Sequence, residues 1–99
     1  MTIFGRAGRR RTRPKPSAVV LLSRPGCALC AAAQPMVERT AAEAGVSFAV
    51  QNIDDDPTLR AQWTDKVPVV LLDGAEHAYW RIREKALRRA LHLPDAPSV

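Results

Sequence analysis

The stretch Arg24-Pro25-Gly26-Cys27-Ala28-Leu29-Cys30 holds the only two cysteines of the chain. It follows the apolar run Val19-Val20-Leu21-Leu22 and precedes an alanine-rich segment. This order reads as a short buried strand, a tight turn and a helix. Cys27 then falls in the first turn of the helix and Cys30 one turn inside it. Backbone N–H groups at a helix start lack intrahelical partners and carry partial positive charge. A thiolate is stabilised there, which brings a thiol from its free pKa of ~8.5 into the range of roughly 3.5–7.5. Arg24 adds positive charge if it folds back over the turn. Cys27 is therefore expected to be the exposed nucleophile. Cys30, three positions on and on the same helical face, is expected to lie deeper, where it can attack a mixed disulfide at Cys27 and release the product.

A cysteine pair has two other uses. Free cysteines are often simply buried in apolar cores, but a C-x-x-C spacing at a strand–helix junction is an uncommon accident. A structural zinc site wants four ligands, from a second cysteine pair or closely spaced histidines. Only His77 and His92 are available, and they are too far apart in sequence for that pattern. No metal site is expected.

Ninety-nine residues, 46% of them hydrophobic, fit one globular domain. No apolar run approaches the ~20 residues of a membrane-spanning helix. Two adjacent cysteines are too few for a secreted disulfide framework and point to a cytoplasmic redox or metal motif. The formal charge of +5 is unevenly placed. Arg6, Arg9, Arg10, Arg11, Arg13 and Lys15 stand in residues 1–17 without an acid, and removing those six from the 15 cations leaves nine against 10 acids, a net −1 over residues 18–99. Any argument from charge to nucleic acid rests on this segment alone.

Residues 1–17 read as a disordered basic tail, rich in Arg, Gly and Pro and lacking apolar periodicity. Arg9-Arg10 resembles an export signal, but the apolar segment that follows is too short for one and is needed in the core. Pro14 and Pro16 spoil the helix of a transit peptide. Loose attraction to RNA or an anionic surface is one use of the tail, and a solvated leader without a dedicated role is the simpler one.

The first strand spans residues 18–23, apolar enough for burial on both faces. The helix after the cysteines runs to residue 44, with Met36, Val37, Thr40, Ala41 and Ala44 inward, Pro35 inside it, and Gly45 as its cap. Residues 46–53 alternate, with Val46, Phe48 and Val50 on one face, as a second strand parallel to the first. Asp54-Asp55-Asp56-Pro57 is a helix-start signal, followed by a short helix that packs Leu59 and Trp63. Val67-Pro68 enters a third apolar strand, where a cis bond is one way to accommodate proline. Asp73-Gly74 marks a hairpin, and residues 75–82 form the returning strand. The last helix covers residues 83–91, with Ala86, Leu87, Ala90 and Leu91 inward and Lys85, Arg88 and Arg89 outward. Residues 94–99 read as a frayed tail.

The order β-α-β-α-β-β-α, with C-x-x-C opening the first helix and Val-Pro before the third strand, resembles the α/β thioredoxin fold, a four-stranded mixed sheet flanked by helices. Ser23 to Cys30 is similar to the motif of a small bacterial glutaredoxin-like group. The likeness covers residues 18–91. It implies that Cys27 attacks, that Cys30 resolves, and that the two form the redox-active disulfide. It implies that Val67 offers its backbone to an extended substrate, that a cis Pro68 faces the sulfurs, and that Arg24 holds a substrate carboxylate. Departures are visible as well. Ala28-Leu29 replaces the Pro-Tyr of glutaredoxins. Leu21 stands where thioredoxins bury an acid. Ala78-Tyr79 and Arg81-Ile82 stand where glutaredoxins bind glutathione, so glutathione is disfavoured as a co-substrate.

The resulting expectation is a monomeric, cytoplasmic thiol–disulfide oxidoreductase that acts on protein or mixed disulfides, with no cofactor and an unidentified reductant. The alternatives are a module in which Cys27 ligates an iron–sulfur cluster bridged between two chains, and one that binds a partner or nucleic acid through the basic tail.

Overall fold

A computed structural model describes residues 14–95. The strands are β1 (Ala18–Ser23), β2 (Ser47–Asn52), β3 (Val69–Leu72) and β4 (Ala75–Tyr79). The helices are α1 (Ala28–Ala44), α2 (Pro57–Trp63) and α3 (Glu84–Ala90), with a 3-10 turn at Ile53–Asp55 ahead of α2. The sheet order is β2-β1-β3-β4. β1 pairs parallel with β2 and antiparallel with β3, and β3 pairs antiparallel with β4. This is the four-stranded mixed sheet of a thioredoxin fold.

β1 is apolar throughout because both of its faces are covered. Val19 and Leu21 join Val70 of β3, Val37, Ala41 and Ala44 of α1, and Leu87 and Leu91 at α3 in one core. Leu22 points the other way and packs with Val69, Ile53 and Trp63 beneath α2, with Val20, Leu59, Val67 and Leu71 against them. The alternation along β1 and β3 assigns each residue to one layer or the other. Helix α1 lays its buried residues Val37, Thr40, Ala41 and Ala44 on the sheet at the expected spacing, and continues through the exposed Pro35.

The turns follow from their residues. Asp73 and Gly74 have φ of 51° and 86°, the positive pair that primed hairpin turns require. The Asp73 carboxylate also accepts from the backbone N–H groups of Ser17 and Ala18 at 2.9–3.2 Å, fixing the entry of β1. Asp56 caps α2 by accepting from Thr58 and Leu59, and Pro57 stands at its first position. Lys15 donates to the Ala44 carbonyl, so contacts with the domain reach back before residue 18. Otherwise the tail expectations fall largely on residues 1–13 and 96–99, outside the described residues.

Three expectations change in detail. Val50 is 44% exposed rather than packed, on β2, an edge strand of the sheet. β4 ends at Tyr79, three residues early, because Trp80 turns to a φ of 63°. Arg88 points inward and is only 4% exposed, while Ala86 is exposed. Position 88 flanks the Leu87–Leu91 stripe and faces α1, where Glu43 receives its two terminal nitrogens at 2.7 and 2.8 Å; its Nε donates to the Pro94 carbonyl at 2.7 Å. A nearly buried guanidinium is tolerated because its donors are met.

Those hydrogen bonds from Arg88 hold the Glu43 carboxyl below its ordinary pKa of 4.5; burial opposes the shift, and the charges of Arg88 and Arg39 add to it. The pair's stability is fully present above the unfolded-state value and is lost as pH falls through the depressed folded-state value. Thermal unfolding of Glu43→Gln is therefore expected at a lower temperature than wild type at neutral pH, with the gap closing in acid; a gap independent of pH contradicts the assignment. Leu22→Ala is expected to cost about 2–5 kcal/mol in denaturant unfolding, because the layer beneath α2 is small and cannot collapse onto the void.

Candidate active site

Cys27 is the N-cap of α1, with extended backbone (φ −92°, ψ 108°), and Ala28 is the first helical residue. The helix therefore begins one residue later than its sequence suggests, because the Cys27 side chain does the capping. Its Sγ accepts the backbone N–H of Cys30 at 3.1 Å. The first turn contains no acidic residue, so no carboxylate competes for the positive end of this 17-residue helix. Gly26, with φ of 78°, makes the turn that delivers Cys27 to the cap.

Cys27 and Cys30 are joined by a disulfide, with their Cα atoms 5.2 Å apart. Cys27 is half-buried, whereas Cys30 is 2% exposed and belongs to the inner face of α1. The pair thus has one accessible sulfur and one buried sulfur in bonding contact. Such a pair can form and break a disulfide with little movement of the helix.

Arg24 does not fold over the turn. Its Nη2 lies 3.0 Å from Asp54 Oδ1 and its Nη1 lies 2.9 Å from Thr64 Oγ1, so protein partners hold the nitrogens expected to meet a substrate carboxylate. The guanidinium ties the loop before Cys27 to the 3-10 turn and to the end of α2. Helix amides, rather than an uncompensated arginine, are the positive groups at Cys27.

The Val67–Pro68 peptide bond is cis, and Pro68 is buried. Among the described residues, Val67 makes no backbone hydrogen bond through its N–H or its C=O. Its neighbours are engaged, and by one residue. The backbone N–H of Trp80 donates to the carbonyls of Lys66 and Pro68 at 3.2 and 2.8 Å, and its indole N–H donates to the Asp65 carbonyl. Three of the four carbonyls from residue 65 to residue 68 are thus taken by Trp80, and the remaining one is Val67's.

Sequence reading missed this role, because a tryptophan at the end of an apolar strand gives no sign of leaving it. A left-handed backbone in a bulky residue is uncommon and costs on the order of 1–3 kcal/mol, so it persists only where surrounding contacts fix it. Here the three hydrogen bonds do so, together with an edge-on contact to Tyr79 at 5.2 Å between ring centres. The indole remains 53% exposed, as does Leu29, at 59%, between the two cysteines. The Lys66 ammonium lies 5.2 Å from the Tyr79 ring and 5.7 Å from that of Trp63.

Away from this end, His77 of β4 has a buried Nε2 with no hydrogen-bond partner, and burial pushes its pKa down. Among the described residues, no group of three or more His, Cys, Asp or Glu side chains converges as a metal site would require. No helix among them is long and apolar enough to cross a membrane.

Comparison with known proteins agrees with this geometry. The profile of the glutaredoxin-like domain (DUF836) matches residues 18–92. Uncharacterised proteins of Mycobacterium tuberculosis and Mycobacterium bovis are 40% identical over 75 residues, which cover 71% of this chain and 77% of each relative. A solution structure of a Nitrosomonas europaea protein superposes with a TM-score of 0.65 at 21% identity, covering 84% of this chain and 98% of that one. A crystal structure from X. campestris gives 0.57 at 27% identity, covering 75% and 95%. Fasciola hepatica thioredoxin gives 0.54 at 26% identity, covering 76% and 77%. The motif cysteines, the cis proline and the sheet order thus sit in a chain that belongs to the glutaredoxin-like (DUF836) family.

Proposed function

We propose that this protein is a thiol–disulfide oxidoreductase that reduces protein or mixed disulfides through Cys27 and Cys30. The observation that carries the reading is the half-buried Cys27 sulfur capping α1, bonded to the buried sulfur one turn behind it. In the reduced protein, the Cys27 thiolate attacks one sulfur of the substrate disulfide. The substrate S–S bond breaks, its other sulfur leaves as a thiolate and takes a proton from solvent, and a mixed disulfide forms at Cys27. Cys30 then loses its proton and attacks the Cys27 sulfur. The second substrate thiol is released, and the Cys27–Cys30 disulfide is formed. The substrate has gained two electrons and the protein has lost two. An external thiol or dithiol reductant resets the pair.

Val67 supports the reading from the substrate side. Its N–H and C=O, unpaired among the described residues, suit an extended chain lying alongside, as an added strand would. Arg24 contributes in this account by holding the loop before Cys27 through Asp54 and Thr64. A reducing role belongs in the cytoplasm, where thiols are kept reduced, and one chain carries the whole cysteine pair, so a monomer suffices. An iron–sulfur cluster needs more sulfur ligands than these two cysteines, so a second chain would have to complete it. The nucleic-acid reading depends on residues outside those described.

The test is trapping. With insulin as a generic protein disulfide, Cys27→Ser is expected to lose turnover to background, while Cys30→Ser accumulates a covalent mixed disulfide through Cys27, visible on non-reducing gels and by mass. Turnover that survives Cys27→Ser overturns the proposal.

A further inference from the structure

Leu29, from between the two cysteines, lines an open cleft of about 570 Å³ together with Trp80 and Arg81. It is not a leftover of packing. Leu29 stands between the two cysteines and turns an apolar side chain to solvent. Trp80 is held from three directions, with its indole N–H already satisfied by the Asp65 carbonyl, so the ring offers an apolar face with no unmet polar group. Arg81 is exposed and makes no ion pair among the described residues. Lys66 places a second cation against the Tyr79 ring, which touches Trp80 edge-on. A rigid, exposed aromatic beside an uncompensated cation is a surface built for an apolar group next to a negative one.

The geometry points to the Leu29–Trp80–Arg81 cleft as the specificity site for the substrate polypeptide: it takes an apolar side chain adjacent to the target cysteine, with an acidic residue next to it meeting Arg81. This rests on the thiol–disulfide reading and adds the class of substrate. The occupant is a peptide rather than a small disulfide because Trp80, which lines the cleft, is hydrogen-bonded to the loop carrying Val67, whose backbone groups, open among the described residues, suit an extended chain. The charge argues for an acidic flank, since a lysine there meets Arg81, which makes no ion pair among the described residues.

The experiment uses short peptides with one cysteine held as a mixed disulfide with 2-mercaptoethanol, flanked by Leu-Asp, Leu-Lys or Gly-Ser. Rates with the reduced protein are expressed relative to 2-hydroxyethyl disulfide. The Leu-Asp peptide is expected to react at least about tenfold faster than the Gly-Ser one, as burial of one apolar side chain implies. Trp80→Ala and Leu29→Ser should remove that advantage. Arg81→Glu, a surface change, should reverse the preference between Asp and Lys flanks, by about threefold for an exposed charge pair. In parallel, the same peptides with serine for cysteine are titrated onto the oxidised protein, and the Trp80 indole N–H resonance is followed. Binding to Trp80 without any thiol exchange would sink the oxidoreductase reading and keep the cleft. Thiol exchange with equal rates for all flanks, preference for a glutathione mixed disulfide, or self-association through Trp80 would overturn the cleft and keep the oxidoreductase.

Discussion

A single hydrogen bond, from the Cys30 backbone N–H to the Cys27 sulfur, links the fold of this protein to its chemistry. A helix start must satisfy its free amides, and side-chain oxygens usually do so. Here a sulfur takes the place of oxygen. In the proposed function, the same amides that stabilise the helix when capped stabilise a negative charge on that sulfur when the disulfide is open. Capping and activation are therefore one interaction. Because Arg24 is compensated by Asp54 at 3.0 Å, the helix end carries this effect.

The rest of the structure holds two loops in place, the cysteine turn and the cis-proline loop. β1, covered on both sides, ends at Ser23 and delivers the cysteine turn. The layer beneath α2, built on Leu22, Ile53, Trp63 and Val69, supports the cis Val67–Pro68 loop through Val67. Arg24 fastens the first loop to Asp54 and Thr64, and Trp80 fastens the second through three carbonyls. The Arg88–Glu43 pair locks α3 to α1 on the opposite face of the sheet, outside the site. That ion pair contributes to stability away from the site and can be removed by mutation without touching the cysteine turn.

Much of this was legible in the sequence because the signals were local. The apolar run from Val19 to Leu22, the paired cysteines, Asp56-Pro57 and Asp73-Gly74 each fix a backbone state within a few residues, and each element formed where its signal stood. What was hidden depended on tertiary partners. Charges at 85, 88 and 89 look alike on a helical wheel, and only the position of Glu43 on another helix draws Arg88 in. Val50 alternates correctly but lies on an edge strand. Arg24 looked free to reach a substrate until Asp54 and Thr64 came beside it. Trp80 looked like a strand residue because nothing local announces a left-handed turn held together by the loop at residues 65–68.

The central claim is that amides at the front of α1 hold the Cys27 sulfur ionised. The most direct measurement is the rate of iodoacetamide alkylation of Cys27 in the reduced protein, followed by mass against pH. The account predicts a midpoint well below the ~8.5 of a free thiol. A midpoint at or above that value contradicts it.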